Sequence, residues 1–174
     1  KQRSHLGTNW YQAHEALHQE GLRMPTPREF IDYLIILQSD TVYDGLGNKI
    51  QKAEREALYN DITEKRDPLR AEWLDADFKA INDKLYISTY HQPMKGKLTP
   101  QRSESLEACL MKDCYVDLTS CNRQGLPIRE SKKKEMYYYF PRSDNNSVSG
   151  FGAYSVGVFL GCYWGPLDSD RGLG

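Results

Sequence analysis

Apolar positions recur at helical spacing in the first third of the chain and at strand-like spacing after it. Trp10, Ala13 and Leu17, with His14 beside them, share one face of a first helix that Gly21 can end as a left-handed C-cap. Thr26-Pro27-Arg28-Glu29 reads as a capping box with Pro at the first helical position. It opens a second helix whose apolar face is Phe30, Tyr33, Leu34 and Leu37. The turn-rich run Asp44-Gly45-Leu46-Gly47-Asn48 separates it from a third helix over about 52–65, and Asp67-Pro68 then breaks the pattern.

Residues 76–81 and 85–90 are strand-like and flank Asn82-Asp83, which predicts a hairpin. Residues 92–103 are polar with two prolines and are expected to form a loop, followed by a short helix around 105–111. Met136–Phe140 is a tyrosine-rich strand, and from Ser147 the Gly-, Ser- and Tyr-rich sequence predicts irregular strands joined by tight turns. The fold class is therefore α+β, with a mainly helical part over 1–68 and a strand-rich part over 69–174.

Composition narrows the function. The chain has 174 residues and 23 Lys+Arg against 24 Asp+Glu, so it lacks the broad positive field of a nucleic-acid binder. No apolar run approaches the roughly 20 residues of a membrane helix. Lys1-Gln2-Arg3 carries neither an initiator Met nor an apolar segment, as expected of a chain trimmed at its start. Cys109, Cys114, Cys121 and Cys162 form no C-x-x-C pair, which points to free thiols rather than a zinc ribbon or a redox site.

One catalytic motif stands out. His14-Glu15-Ala16-Leu17-His18 is a literal H-E-x-x-H, in which two histidines one helical turn apart can hold Zn²⁺ while the Glu activates water. Gly21 extends it towards a longer zinc-protease pattern, but Met24 stands where that pattern carries its third His. His91 has no diagnostic spacing as a third ligand, and Asp75 and Asp77 are expected to share the solvent face of a strand. A zinc-dependent hydrolase is the alternative function; the simpler reading is an amphipathic helix with two histidines near its exposed edge.

The C-terminal 25 residues carry seven of the 13 glycines, and bulky residues interrupt a frame of small ones at nearly alternate positions. That frame is Phe151-Gly152-Ala153-x-Ser155-x-x-x-x-Leu160-x-Cys162-x-x-x-Pro166-x-x-Ser169-x-x-x-Leu173-Gly174. It resembles the variable region of target proteins of diversity-generating retroelements, most closely the archaeal and viral type. The resemblance implies a C-type-lectin-like fold of short irregular strands and flanking helices, with a hypervariable segment at 151–174. The resemblance also implies a non-enzymatic protein with no cofactor, of a kind not generally calcium-dependent, that binds protein, glycan or cell-surface ligands; a cell-surface or virion-surface location is the corresponding expectation. An enzyme of the formylglycine-generating type, on a similar fold, would need a reactive cysteine pair that the isolated Cys162 does not supply.

The resemblance assigns Tyr154, Val156, Phe159, Tyr163, Leu167, Asp168, Asp170 and Arg171 to the ligand-facing set. Phe151, Leu160, Cys162 and Leu173 then point inward, Gly152 and Pro166 set turns, and Trp164 fits either set and is counted with the binding surface. The genetic code agrees in part: adenine-directed change of AAC or AAT codons cannot yield Trp, so Trp164 is an exception that reads as a fixed frame residue, and it yields no Lys, Glu, Gln or Met. Residues 154–174 contain none of these four, whereas the first 136 residues contain 35 of them.

Overall fold

The computed structural model describes residues 7–65, 69, 71–142, 146–155 and 157–168. Three helices precede seven strands: α1 (Trp10–Gln19), α2 (Pro27–Gln38), α3 (Lys52–Thr63), β1 (Ala71–Ile81), β2 (Lys84–Met94), β3 (Lys97–Ser105), β4 (Cys114–Val116), β5 (Met136–Tyr139), β6 (Ser147–Tyr154) and β7 (Gly157–Trp164). The strands form one mixed sheet in the order β3-β2-β1-β6-β7-β5-β4, in which only β5 and β7 run parallel.

Both leading helices are fixed by their ends. On α1, Asn9 and Gln12 form a reciprocal capping box, and Gly21 (φ 71) closes the C-terminus with Gly21 N–H to His18 O and Leu22 N–H to Leu17 O, a Schellman pair. On α2 the capping box falls where the sequence places it, between Thr26 and Glu29 with Pro27 following the cap. Glu29 also accepts two hydrogen bonds from Arg23, at 2.7 and 2.6 Å, and these lower its carboxyl pKa. Because the folded value is depressed, this contribution is fully present above the ordinary glutamate pKa and is lost as pH falls from there through the lower folded value. Glu29→Gln should thus cost about 0.5 kcal/mol at pH 7, and urea melts of parent and variant should converge only at pH below that depressed value.

The sheet buries both faces. On one, α2 lays Phe30, Ile31 and Leu34 against Leu74, Phe78, Met136, Tyr138, Phe151, Leu160 and Cys162. On the other, α1 lays Trp10 and Ala13 against Ala71, Trp73, Val148, Phe159 and Trp164. Tyr33, expected on the apolar face of α2, is 40% exposed, and Ile31 fills that place at 0%.

Two expectations fail after β1. Residues 92–103 are not a loop: they complete β2 and form β3, joined at Lys95 and Gly96, which both take left-handed φ (51° and 75°) as a tight hairpin turn requires. The alternation that would announce β3 is absent because it is an edge strand with mostly exposed side chains. The segment around 105–111 is not helical, because Leu106 N–H bonds to Leu85 O and Leu110 N–H to Pro127 O instead of to its own turn. The Asn82-Asp83 hairpin forms as expected, both residues being left-handed.

Candidate functional site

On the face of the sheet that carries α1, Trp10 and Ala13 cover Trp73, Val148, Phe159 and Trp164, and half-buried tyrosines continue over β5 and β4. In β5 and β7 the register Tyr137↔Phe159 and Tyr139↔Gly161 sets the tyrosines beside small or aromatic partners on that face. Ring centroids run Tyr115–Tyr137 4.9 Å, Tyr137–Tyr139 4.9 Å and Tyr139–Tyr163 5.0 Å, a continuous aromatic row across three strands. Tyr115, Tyr137 and Tyr139 are half-buried and Tyr163 is exposed, and Lys134 lies over the Tyr115 ring at 5.7 Å, so the row reaches solvent while its members are held by their neighbours.

Irregular pairing in β7 sorts its aromatics. Val148↔Trp164 and Gly150↔Gly161 pair with one extra residue on β7 between them, a bulge. Tyr163 turns outward, while Trp164 is 4% exposed and lies over two glycines: a Cβ at Gly150 would sit 2.8 Å from its indole, and one at Gly161 3.1 Å. Those glycines exist to admit the ring.

The residues marked as ligand-facing therefore divide. Tyr154 is 44%, Tyr163 36% and Leu167 71% exposed. Phe159 corrects the sequence reading: it is 4% exposed, packs edge-on to Tyr139 and lies in the core cluster with Trp10 and Trp164 under α1, while its pairing partner Gly152 sits within β6 rather than at the expected turn. Trp164 is a buried frame residue for the reason just given. Asp168 is exposed, yet its carboxylate accepts the Gly165 N–H at 2.9 Å and shapes the turn after β7. Among the inward set, Phe151, Leu160 and Cys162 are fully buried. Val156, Asp170, Arg171 and Leu173 lie outside the described residues.

A second cluster lies under α1. Within H-E-x-x-H, His14 is buried at 4% while Glu15 and His18 are exposed. His14 Nε2 lies 3.6 Å from Asp75 Oδ1, and His91 Nδ1 lies 2.5 Å from the same oxygen. The second Asp75 oxygen accepts the His91 backbone N–H at 3.0 Å. Burial holds the His14 imidazole pKa down at about 4, with the Asp75 charge opposing that shift. Trp10 stands edge-on to both imidazoles, at 4.4 and 4.9 Å, and donates its indole N–H to Leu74 O at 3.0 Å.

Asp75 and Asp77 are another correction, for they do not face solvent. Two extra residues of β1 stand between the pairs Leu74↔Ser149 and Asp77↔Val148, and this bulge aims Asp75 beneath α1. Its backbone N–H bonds to Pro25 O, which pins the bulge to the chain entering α2. On β2, pairing with β1 stops at Asp77↔Ser88, and Tyr90 takes φ 57, a strained conformation for a bulky residue, just before His91 enters the cluster. Neither Asp75 nor His91 has a diagnostic spacing to His14; the one available signal was a pair of acids inside a run of otherwise apolar strand residues.

All four cysteines are free; Cys162 is buried and the others half-buried. Burial raises the Cys121 thiol pKa to about 11 and pushes those of Cys109 and Cys162 up as well, which keeps them protonated and poor nucleophiles. No helix among the described residues is long and apolar enough to cross a membrane. The chain matches no protein-family model, and no curated protein and no solved structure matches it.

Proposed function

We propose that this chain is a non-enzymatic binding protein. It presents the tyrosine row of β4, β5 and β7, with the β6–β7 turn and the turn after β7, to a protein, glycan or cell-surface target. In this reading the scaffold is C-type-lectin-like and segment 151–174 is diversified by a retroelement. One observation carries the proposal: the segment separates frame from display. Phe151, Leu160 and Cys162 have no exposed surface, while Tyr154, Tyr163 and Leu167 between and beyond them are 36–71% exposed. Side chains of the second kind can change without disturbing the first. Tyrosines held on one side also supply large contact area at small entropic cost.

The decisive experiment is sequencing of this gene and its flanks across the source population. Substitutions should concentrate at codons 154, 163 and 167 and spare 151, 160 and 162, beside an adenine-rich near-copy and a reverse-transcriptase gene. Equal variability at the two sets of codons would end the retroelement reading. In the protein, the triple substitution Tyr154→Ser, Tyr163→Ser and Leu167→Asn should move Tm by no more than about 3 °C. A collapse of Tm would mean that these side chains hold the fold rather than display it.

A further inference from the structure

We propose that His14, Asp75 and His91 form a binding site for a single divalent transition cation of the Zn²⁺ type, built by α1, β1 and β2 and separate from the tyrosine row. One ligand atom from each of the three residues lies within 4.8 Å of the other two, so a cation between them needs only small side-chain adjustments. The donor set, two imidazole nitrogens and one carboxylate oxygen, is one that zinc and other divalent transition cations use when a further position is left to water.

Three further observations point to a cation. His14 Nε2 is buried and has no hydrogen-bond partner, although it faces the Asp75 carboxylate. An imidazole nitrogen left this way forfeits a bond that its burial demands, and a metal would restore it. Charge is the second: the side chains of Asp75 and Asp77 are only 2% and 12% exposed, and Lys79 pairs with Asp77 alone, at 2.6 Å. Buried carboxylates normally face a cation; among the described residues Asp75 pairs with His14 and His91 and forms no ion pair with a lysine or arginine, Arg23 acting on it only at longer range. Access is the third: His14 and His91 both border a cleft of about 460 Å³, together with His18, Arg23, Tyr90 and Pro93. A cation and its water ligand have a way in.

This site differs from the zinc reading of H-E-x-x-H, because His14 is its only member from that motif. The test uses the full chain, stripped with EDTA and titrated with Zn²⁺ or Co²⁺ alone. One equivalent should bind, the Co²⁺ form should show the visible absorption of a four-coordinate N/O site, and Co²⁺ should quench Trp10, whose ring touches both histidines. His91→Ala and Asp75→Ala should weaken binding by about 100-fold or more, whereas His18→Ala and Glu15→Gln should leave it within about twofold. Absence of stoichiometric binding in the parent chain overturns the proposal, and reads the cluster as a metal-free His–Asp pair. Equal loss in His18→Ala and His91→Ala also overturns it, by moving the cation to the helix motif. Should His91→Ala lose its circular-dichroism spectrum, His91→Gln replaces it, and the parent stoichiometry still decides.

Discussion

Phe159→Asn is expected to destabilise the protein by about 3–5 kcal/mol, against less than about 1 kcal/mol for Tyr163→Asn four residues later on the same strand. Phe159 is 4% exposed and touches Tyr139 and Trp164, with ring centroids at 5.7 and 5.9 Å. It belongs to the cluster that joins α1 to the sheet through Trp10, Trp73 and Val148. Asparagine would empty most of that volume and place a polar amide among aromatic rings. Tyr163 is 36% exposed and loses only partly exposed ring contacts, with Tyr139 at 5.0 Å and Trp164 at 6.2 Å.

Phe159→Leu supplies the control. It keeps the position apolar and should cost less than about 2 kcal/mol. Chemical denaturation of the three variants separates them. The contrast bears directly on function: a diversified position must accept almost any residue, so codon 159 should vary only among apolar residues if the retroelement reading holds. Equal stability of Phe159→Asn and Tyr163→Asn would put Phe159 on the display surface instead.

The same residues show what a sequence can disclose. The Thr26–Glu29 capping box, the Gly21 C-cap and the Asn82-Asp83 hairpin are local devices, whose chemistry lies within a few residues, and each stands where the sequence predicts it. Phe159 could not be placed that way. In a Gly-rich hairpin both faces carry aromatics, and only the covering of one end by α1 and the single-residue bulge beside Trp164 decide which are buried. β3 was illegible for the opposite reason, being an edge strand with little apolar signal. The His14–Asp75–His91 cluster combines both difficulties. Its members come from three elements, and a bulge reverses the face expected of Asp75.

Gly125→Ala should be strongly destabilising, with an expected loss of at least about 3 kcal/mol. Gly125 has φ +82, where an L side chain is strained by about 1–2 kcal/mol. More important, its Cβ would sit 2.3 Å from Arg28 N and 2.5 Å from Pro27 C, both backbone atoms of the first turn of α2. A flexible side chain could move aside, but this turn is held by the Thr26–Glu29 capping box and by buried Phe30 and Ile31. The loop cannot easily retreat either. Asn122 Oδ1 accepts the N–H groups of Gln124 and Leu126, and Leu126 is fully buried against the sheet. Gln124 ties the same loop to Glu104, Ser105 and Glu107. Gly21→Ala separates the two contributions, since Gly21 has a similar φ of +71 with nothing near its missing Cβ. It should cost only about 1 kcal/mol. If guanidinium melts give the two variants equal losses, backbone conformation alone accounts for Gly125; a much larger loss at Gly125 shows that the docking of this loop onto α2 locks the helix to the sheet.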